Sequence, residues 1–211
     1  MPAPSTSFRW TCFMPMPPIL RHSLFAICAA LPAAVWADLP IREDDRDRIA
    51  QFDASLGHAM HQALGGGEPA DISDLTGAMR GLPLPSPQGL QALSGDWSCQ
   101  MMKLGGNLPL VVYQTFSCRI TGTRFTKLTG SQRSTGTLHQ DGDRLIYLGT
   151  AYIAGDTAPD YADLPDLVDP HATPQRVPDV GLVEVISPSR ARIMFPDPHL
   201  ESDLNLLYLT R

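Results

Sequence analysis

The chain has none of the short signatures in which residue spacing carries chemistry of its own. It has no Gly-x-Ser-x-Gly to expose a serine nucleophile, no His-Glu-x-x-His to offer zinc two imidazoles and a base, and no glycine loop to cradle a phosphate. Ser131 follows a glycine without a histidine tied to it by spacing, and His139, His171 and His199 are scattered and read as surface residues. Asp197 and Glu201 make a carboxylate pair that a solvated turn explains equally well. His58 and His61 lie three apart, a spacing that suits a two-imidazole metal site, but no third ligand stands near and both fall on a polar helix face. No residue is therefore assigned a catalytic, cofactor-binding or metal role. An enzyme is the weakest of the three functional classes weighed below.

Acid is missing from residues 1–37, whose only charges are Arg9 and Arg21. An apolar run from Ser23 to Trp36 follows Arg21-His22, and Val35-Trp36-Ala37 supplies the positions a signal peptidase reads. Residues 1–37 are expected to be a secretory signal peptide, cleaved before Asp38 and too short in its apolar part to span a membrane. Met1, Met14 and Met16 stay open as the true start, and Cys28 behind the bulky Ile27 is a poor lipoprotein site. Cleavage removes Cys12 and Cys28 and leaves only Cys99 and Cys118, which in an oxidising compartment most simply form one disulfide. The same cut leaves 14 basic residues against 22 acidic ones, a formal charge of −8. That balance speaks against nucleic acid or an anionic membrane surface as a partner. The expected location is the periplasm, with no transmembrane segment after cleavage.

Two helical stretches and a connector come next. From Glu43 to Leu64 the apolar residues Ile49, Phe52, Leu56, Ala59, Met60 and Ala63 recur at three and four, and acids crowd the first turns where the helix dipole favours them. Gly65-Gly66-Gly67 ends that helix; a shorter one runs from Pro69 to about Arg80, with Ile72, Leu75, Ala78 and Met79 as its stripe. Residues 38–81 are thus expected to form a helical hairpin. Residues 82–94, with Pro83, Pro85 and Pro87 at alternate positions, are expected to be an extended proline-rich linker.

Residues 95–211 read as strand after strand. Eight apolar runs separated by turn residues are expected: 97–103, 110–120, 124–128, 132–139, 144–153, 180–187, 190–195 and 204–210. Gly105-Gly106-Asn107, Asp141-Gly142 and Pro188-Ser189 make short connections, which imply antiparallel neighbours. The expected fold class is α+β: a helical hairpin docked on an antiparallel meander of about eight strands. Such a sheet closes or splits, so a small barrel or curved half-barrel comes first and a sandwich second. Trp97 and Cys99 share one side of the first strand. Leu110, Val112, Phe116, Cys118 and Ile120 share one side of the second, so Cys99 and Cys118 are placed to meet in the interior.

Charge is unevenly spread. Lys103, Arg119, Arg124, Lys127 and Arg133 lie in a stretch with no acid, a candidate anion-binding set. Asp156, Asp160, Asp163, Asp166 and Asp169 crowd a loop of about 25 residues, long enough to act as a lid. The plainer expectation is that this loop lies over the basic strands and pairs with them. Calcium binding by its aspartates is a lesser alternative, since their spacing does not follow the helix-loop-helix pattern.

Gly95-Asp96-Trp97 resembles the opening of lipocalin and calycin barrels, and the resemblance implies a basic residue, here Arg211, packed over the tryptophan. The segments Gly95 to Cys99, Lys103 to Tyr113, Phe116 to Ile120, Thr129 to Arg133, Arg190 to Pro196 and Glu201-Ser202 resemble an uncharacterised family of secreted proteobacterial envelope proteins, a domain of unknown function. That resemblance implies secretion and a single domain and brings no activity with it. The function expected is a non-enzymatic periplasmic ligand-binding or inhibitor-like protein on a barrel scaffold, with an unidentified ligand or envelope protein as partner. The alternatives are a structural or interaction protein of the envelope, and an enzyme of unrecognised class.

Overall fold

The computed structural model describes residues 39–211. The expected signal peptide lies outside the described residues. The chain enters with α1 (Glu43–Ala50), α2 (Phe52–Gly66) and α3 (Pro69–Met79), then α4 (Ser86–Ala92). The strands follow: β1 (Gly95–Leu104), β2 (Leu110–Thr121), β3 (Arg124–Lys127), β4 (Gln132–Asp141), β5 (Arg144–Ile153), β6 (Arg176–Ser187), β7 (Arg190–Pro196) and β8 (Leu204–Thr210). All eight expected strands are present. Each pairs antiparallel with its neighbour in sequence, and β8 returns to β1 with Ser98 opposite Thr210, so the meander is a closed barrel. Closure leaves no unpaired edge.

The helices coat the outside of the barrel and one helix stops its end. Ala59, Ala63, Leu75 and Ala78 of α2 and α3 pack on Met102, Leu104, Leu110, Met194, Leu204 and Leu206, which are outward-facing residues of β1, β2, β7 and β8. The single helix expected over residues 43–64 is broken at Gln51 (φ −90°, ψ 9°), which sends α1 to a different wall. There Ile49 packs on Ile146, Leu148 and Val180 of β5 and β6, together with Tyr161 and Leu164 from the long loop.

The expectation of an extended linker over residues 82–94 is corrected by α4. Pro85 takes the N-cap of that helix and Pro87 its first turn, where backbone N–H groups have no intrahelical acceptor and proline costs nothing. Leu84, Leu90, Ala92 and Leu93 then pack against the interior cluster and plug that end of the barrel.

One expectation about the second strand is also corrected. Cys99 pairs with Phe116 and Gln100 with Thr115, but Met102 pairs with Val112, so the register slips by one residue. Phe116, Cys118 and Ile120 face inward, whereas Leu110 and Val112 join the outer cluster under the helices. A period-2 reading cannot see such a bulge, because the extra residue flips every side chain beyond it.

Candidate functional site

The barrel interior has two halves. At the plugged end it is filled: Trp97, Leu209, Ala191, Val185, Leu145, Leu138, Phe125 and Ile120 belong to one buried cluster. The Trp97 indole donates to the Leu93 carbonyl at 2.7 Å, and the Arg211 guanidinium lies 4.2 Å from the Trp97 ring centroid. Arg211 spends its donors on the carbonyls of Pro188, Ser94 and Ala92. Gly95 has φ +131°, and a Cβ there would sit 2.6 Å from Arg211 Nη1, so the glycine is needed for backbone and for space alike. The Cys99–Cys118 disulfide (Cα–Cα 6.0 Å) crosses from β1 to β2 in the next layer. Tyr147 belongs to the same buried cluster, edge-on to Phe125 and Phe195 with ring centroids 5.4 and 5.9 Å away.

Past Tyr147 the interior is hollow. A cavity of about 680 Å³ occupies the opposite mouth. Its walls come from the ends of β1, β3 and β5, the starts of β2, β4, β6 and β8, and the β7–β8 connection at Pro198 to Glu201. The apolar share includes Met101, Phe116 and Val177; the polar share includes Lys103, Lys127, Arg133, Ser134, Tyr152 and Asp179.

A hydrogen-bonded chain forms one side of this site. Tyr147 Oη lies 2.7 Å from Ser134 Oγ, and Ser134 donates to Asp179 Oδ2 at 2.5 Å. Burial pushes the Asp179 carboxyl above its ordinary range, with the Ser134 hydrogen bond pulling the other way. Burial, reinforced by the Asp179 charge, likewise raises Tyr147. Among the described residues no cation stands within ion-pair distance of Asp179.

The opposite side is cationic. Lys103 and Lys127 are only 8 % and 4 % exposed. Lys103 pairs with Glu201 across the rim and donates to Gln132 Oε1 at 3.2 Å. Lys127 donates to the carbonyls of Thr129 (3.2 Å) and Gln132 (2.6 Å), and its nitrogen sits 4.0 Å from the Phe116 ring centroid. Burial, then the Arg133 charge, lowers Lys127 to about 8. Gly130, at φ +91°, leaves the room: a Cβ there would lie 2.8 Å from Lys127 Nζ.

The five residues of the expected basic set therefore part company. Lys103, Lys127 and Arg133 line the cavity. Arg119 turns outward to Asp96 at 2.6 Å, and Arg124 to Asp160 at 2.9 Å. Of the loop aspartates, Asp160 alone pairs with that set. Asp156, Asp160, Asp163, Asp166 and Asp169 are not among the residues that line the cavity. The loop is held on the outer wall by α1 instead: Arg42 donates to the carbonyls of Leu164 (3.2 Å) and Asp166 (2.6 Å), and Tyr161 donates to the buried Asp45 at 2.7 Å. Among the described residues no three His, Cys, Asp or Glu side chains converge as a metal site, and no helix is long and apolar enough to cross a membrane.

Sequence reasoning passed over Ser134, Tyr147 and Asp179 as a unit, because their contact crosses three strands. One signal for the cationic side was present in the composition. Lys103 and Lys127 are the only two lysines in the chain, against fourteen arginines, and both lie in the cavity.

The profile of a family described as Domain of unknown function (DUF4893) matches residues 36–209, and the chain belongs to that family. No curated protein and no solved structure matches it.

Proposed function

We propose that this member of a family of unknown function is a non-enzymatic periplasmic protein that takes up a small ligand in the mouth of its barrel. The half-hollow interior carries the reading. A cavity of about 680 Å³ lies within the range of small-molecule sites, and its mixture of apolar wall and a few placed polar groups is what such sites use for orientation. Export is supported by the disulfide, a bond that persists in oxidising compartments. A scaffolding role through the helices has less support, because the stripes of α2 and α3 are already covered by the barrel.

The test is a fluorescence titration with anilinonaphthalene sulfonate, an amphipathic probe of suitable size, on the native protein and on Ala151→Phe. Ala151 lies on the cavity wall, where a phenyl ring fills the space. Saturable binding of one probe per chain, lost in the variant at an unchanged melting temperature, is the expected outcome. Binding that does not saturate, or that survives the substitution, counts against the mouth as the site.

A further inference from the structure

We propose that Lys127 is a carbonyl-capturing amine, so that the mouth cavity holds its ligand, an aldehyde or ketone, through a reversible imine. The inference rests on the ligand-binding reading above and names the chemistry of that same site.

Three independent observations lead to it. The first is compositional. Wherever this chain needs a cation outside the mouth it uses arginine, and its two lysines are both placed inside. Arginine supplies charge but does not give up its proton, whereas a lysine can become an uncharged nucleophile. A site needing only positive charge gives no reason for that segregation.

The second is the hydrogen bonding of the nitrogen. Two oxygen acceptors face it, the carbonyls of Thr129 and Gln132, and the Phe116 ring lies on another side. An uncharged amine satisfies both carbonyls with its two hydrogens and keeps a lone pair. Among the described residues no carboxylate stands within ion-pair distance of it, while Lys103 has Glu201.

The third is the electrostatic surroundings. Facing the same space are Lys103 of β1, Tyr113 of β2, Arg133 of β4, Tyr152 of β5, Asp179 of β6, and His199 and Glu201 of the β7–β8 connection. Burial and the Arg133 and Lys103 charges disfavour the ammonium, and Asp179 offsets them only in part. A desolvated lysine beside another cation is a recognised way to activate an amine toward carbonyls.

The step balances without any redox partner. The ammonium gives one proton to solvent. The nitrogen lone pair forms a bond to the carbonyl carbon, giving a carbinolamine. The carbonyl oxygen then leaves as water, carrying the two remaining nitrogen hydrogens through solvent exchange, and a C=N bond remains. Water reverses the sequence and releases the carbonyl compound.

The experiment uses butanal as the probe. Native protein is incubated with butanal and cyanoborohydride, which reduces any imine to a stable secondary amine, and the adduct is located by peptide mass mapping. With only two lysines and one α-amino group, background is low. The expected result is one adduct per chain on Lys127, lost in Lys127→Arg and suppressed when anilinonaphthalene sulfonate occupies the cavity. Labelling confined to Lys103 or the α-amino group overturns the proposal. So does Lys127 labelling that appears only in urea-unfolded protein. The mapping on native protein decides the matter even if Lys127→Arg folds poorly. Saturable binding of the fluorescent probe without an adduct on Lys127 removes the imine and leaves the ligand-binding reading standing.

Discussion

At the scale of single residues, the mouth holds two groups whose titration the fold shifts away from the ordinary range, Asp179 upward and Lys127 downward. Asp179 is raised by burial, so folding penalises its carboxylate. The folded chain then binds a proton the unfolded chain has already released, and stability falls as pH rises through that window. The penalty is fully present above the raised value and absent below about pH 3.8, the ordinary value, where both states are protonated. Asn in place of Asp179 still offers Ser134 an acceptor but carries no charge. Asp179→Asn is expected to resist urea better than the native protein at pH 7 and equally at pH 3. A variant weaker at pH 7 would mean that the carboxylate is paired after all. Lys127 works in the opposite sense: lowered to about 8, it loses its proton in the fold first, so its contribution to stability improves as pH rises above that value. Both groups cost stability at neutral pH, the pattern of residues kept for binding rather than for the fold.

At the scale of elements, the decisive contact is the one that places the acidic loop. The charge pattern suggested that its aspartates seek the basic strands, yet one pair does so, Asp160 with Arg124. The loop is instead pinned through its backbone and through Tyr161. The Tyr161 hydroxyl accepts from the Arg42 backbone N–H at 3.0 Å and donates to Asp45, whose other oxygen takes Arg48 at 2.8 Å. Asp45 is 1 % exposed, so this network ties α1, the loop and the barrel wall together in a dry setting. Tyr161→Phe leaves a backbone donor and a carboxylate short of a partner and is expected to cost about 1–3 kcal/mol. Hydrogen exchange should quicken between residues 155 and 175 while β1–β4 stay protected. Uniform exchange throughout would assign the loop's order to something else.

At the scale of the whole molecule, the barrel is rigid at one end and open at the other. α4, Trp97 and Arg211 seal the first; the disulfide ties β1 to β2 just above the seal. Closing a loop with a sequence separation of 19 stabilises by roughly 3 kcal/mol in the chain-entropy picture. For a domain of this size that corresponds to a melting temperature lower by about 6–12 °C in Cys99→Ala/Cys118→Ala. The fold should survive, since closure of eight strands and three buried clusters remain. Probe binding at the mouth should be retained below the new melting temperature. An unchanged melting temperature would show that the unfolded chain is not restrained by the bridge.

What the sequence determined by itself was local. Alternating apolar runs and short turns fixed eight antiparallel strands. The parity of Cys99 with Trp97, and of Cys118 with Phe116, put both sulfurs on the inner side. The stripes of Ile72, Leu75, Ala59 and Ala63 announced helices that needed a surface to cover. These features have periods of 2 or 3.6 residues, so a dozen neighbours suffice to express them. Tertiary structure decided everything that depends on register between distant segments. The bulge between the Gln100–Thr115 and Met102–Val112 pairs reversed Leu110 and Val112. Proline in a first turn made α4 out of an apparent linker, because the plugged end of the barrel rewarded Leu90 and Leu93 for being helical. The mouth was invisible for the same reason. Lys103, Lys127, Ser134 and Asp179 come from four strands, and only closure, β8 against β1, bends those strands around one space.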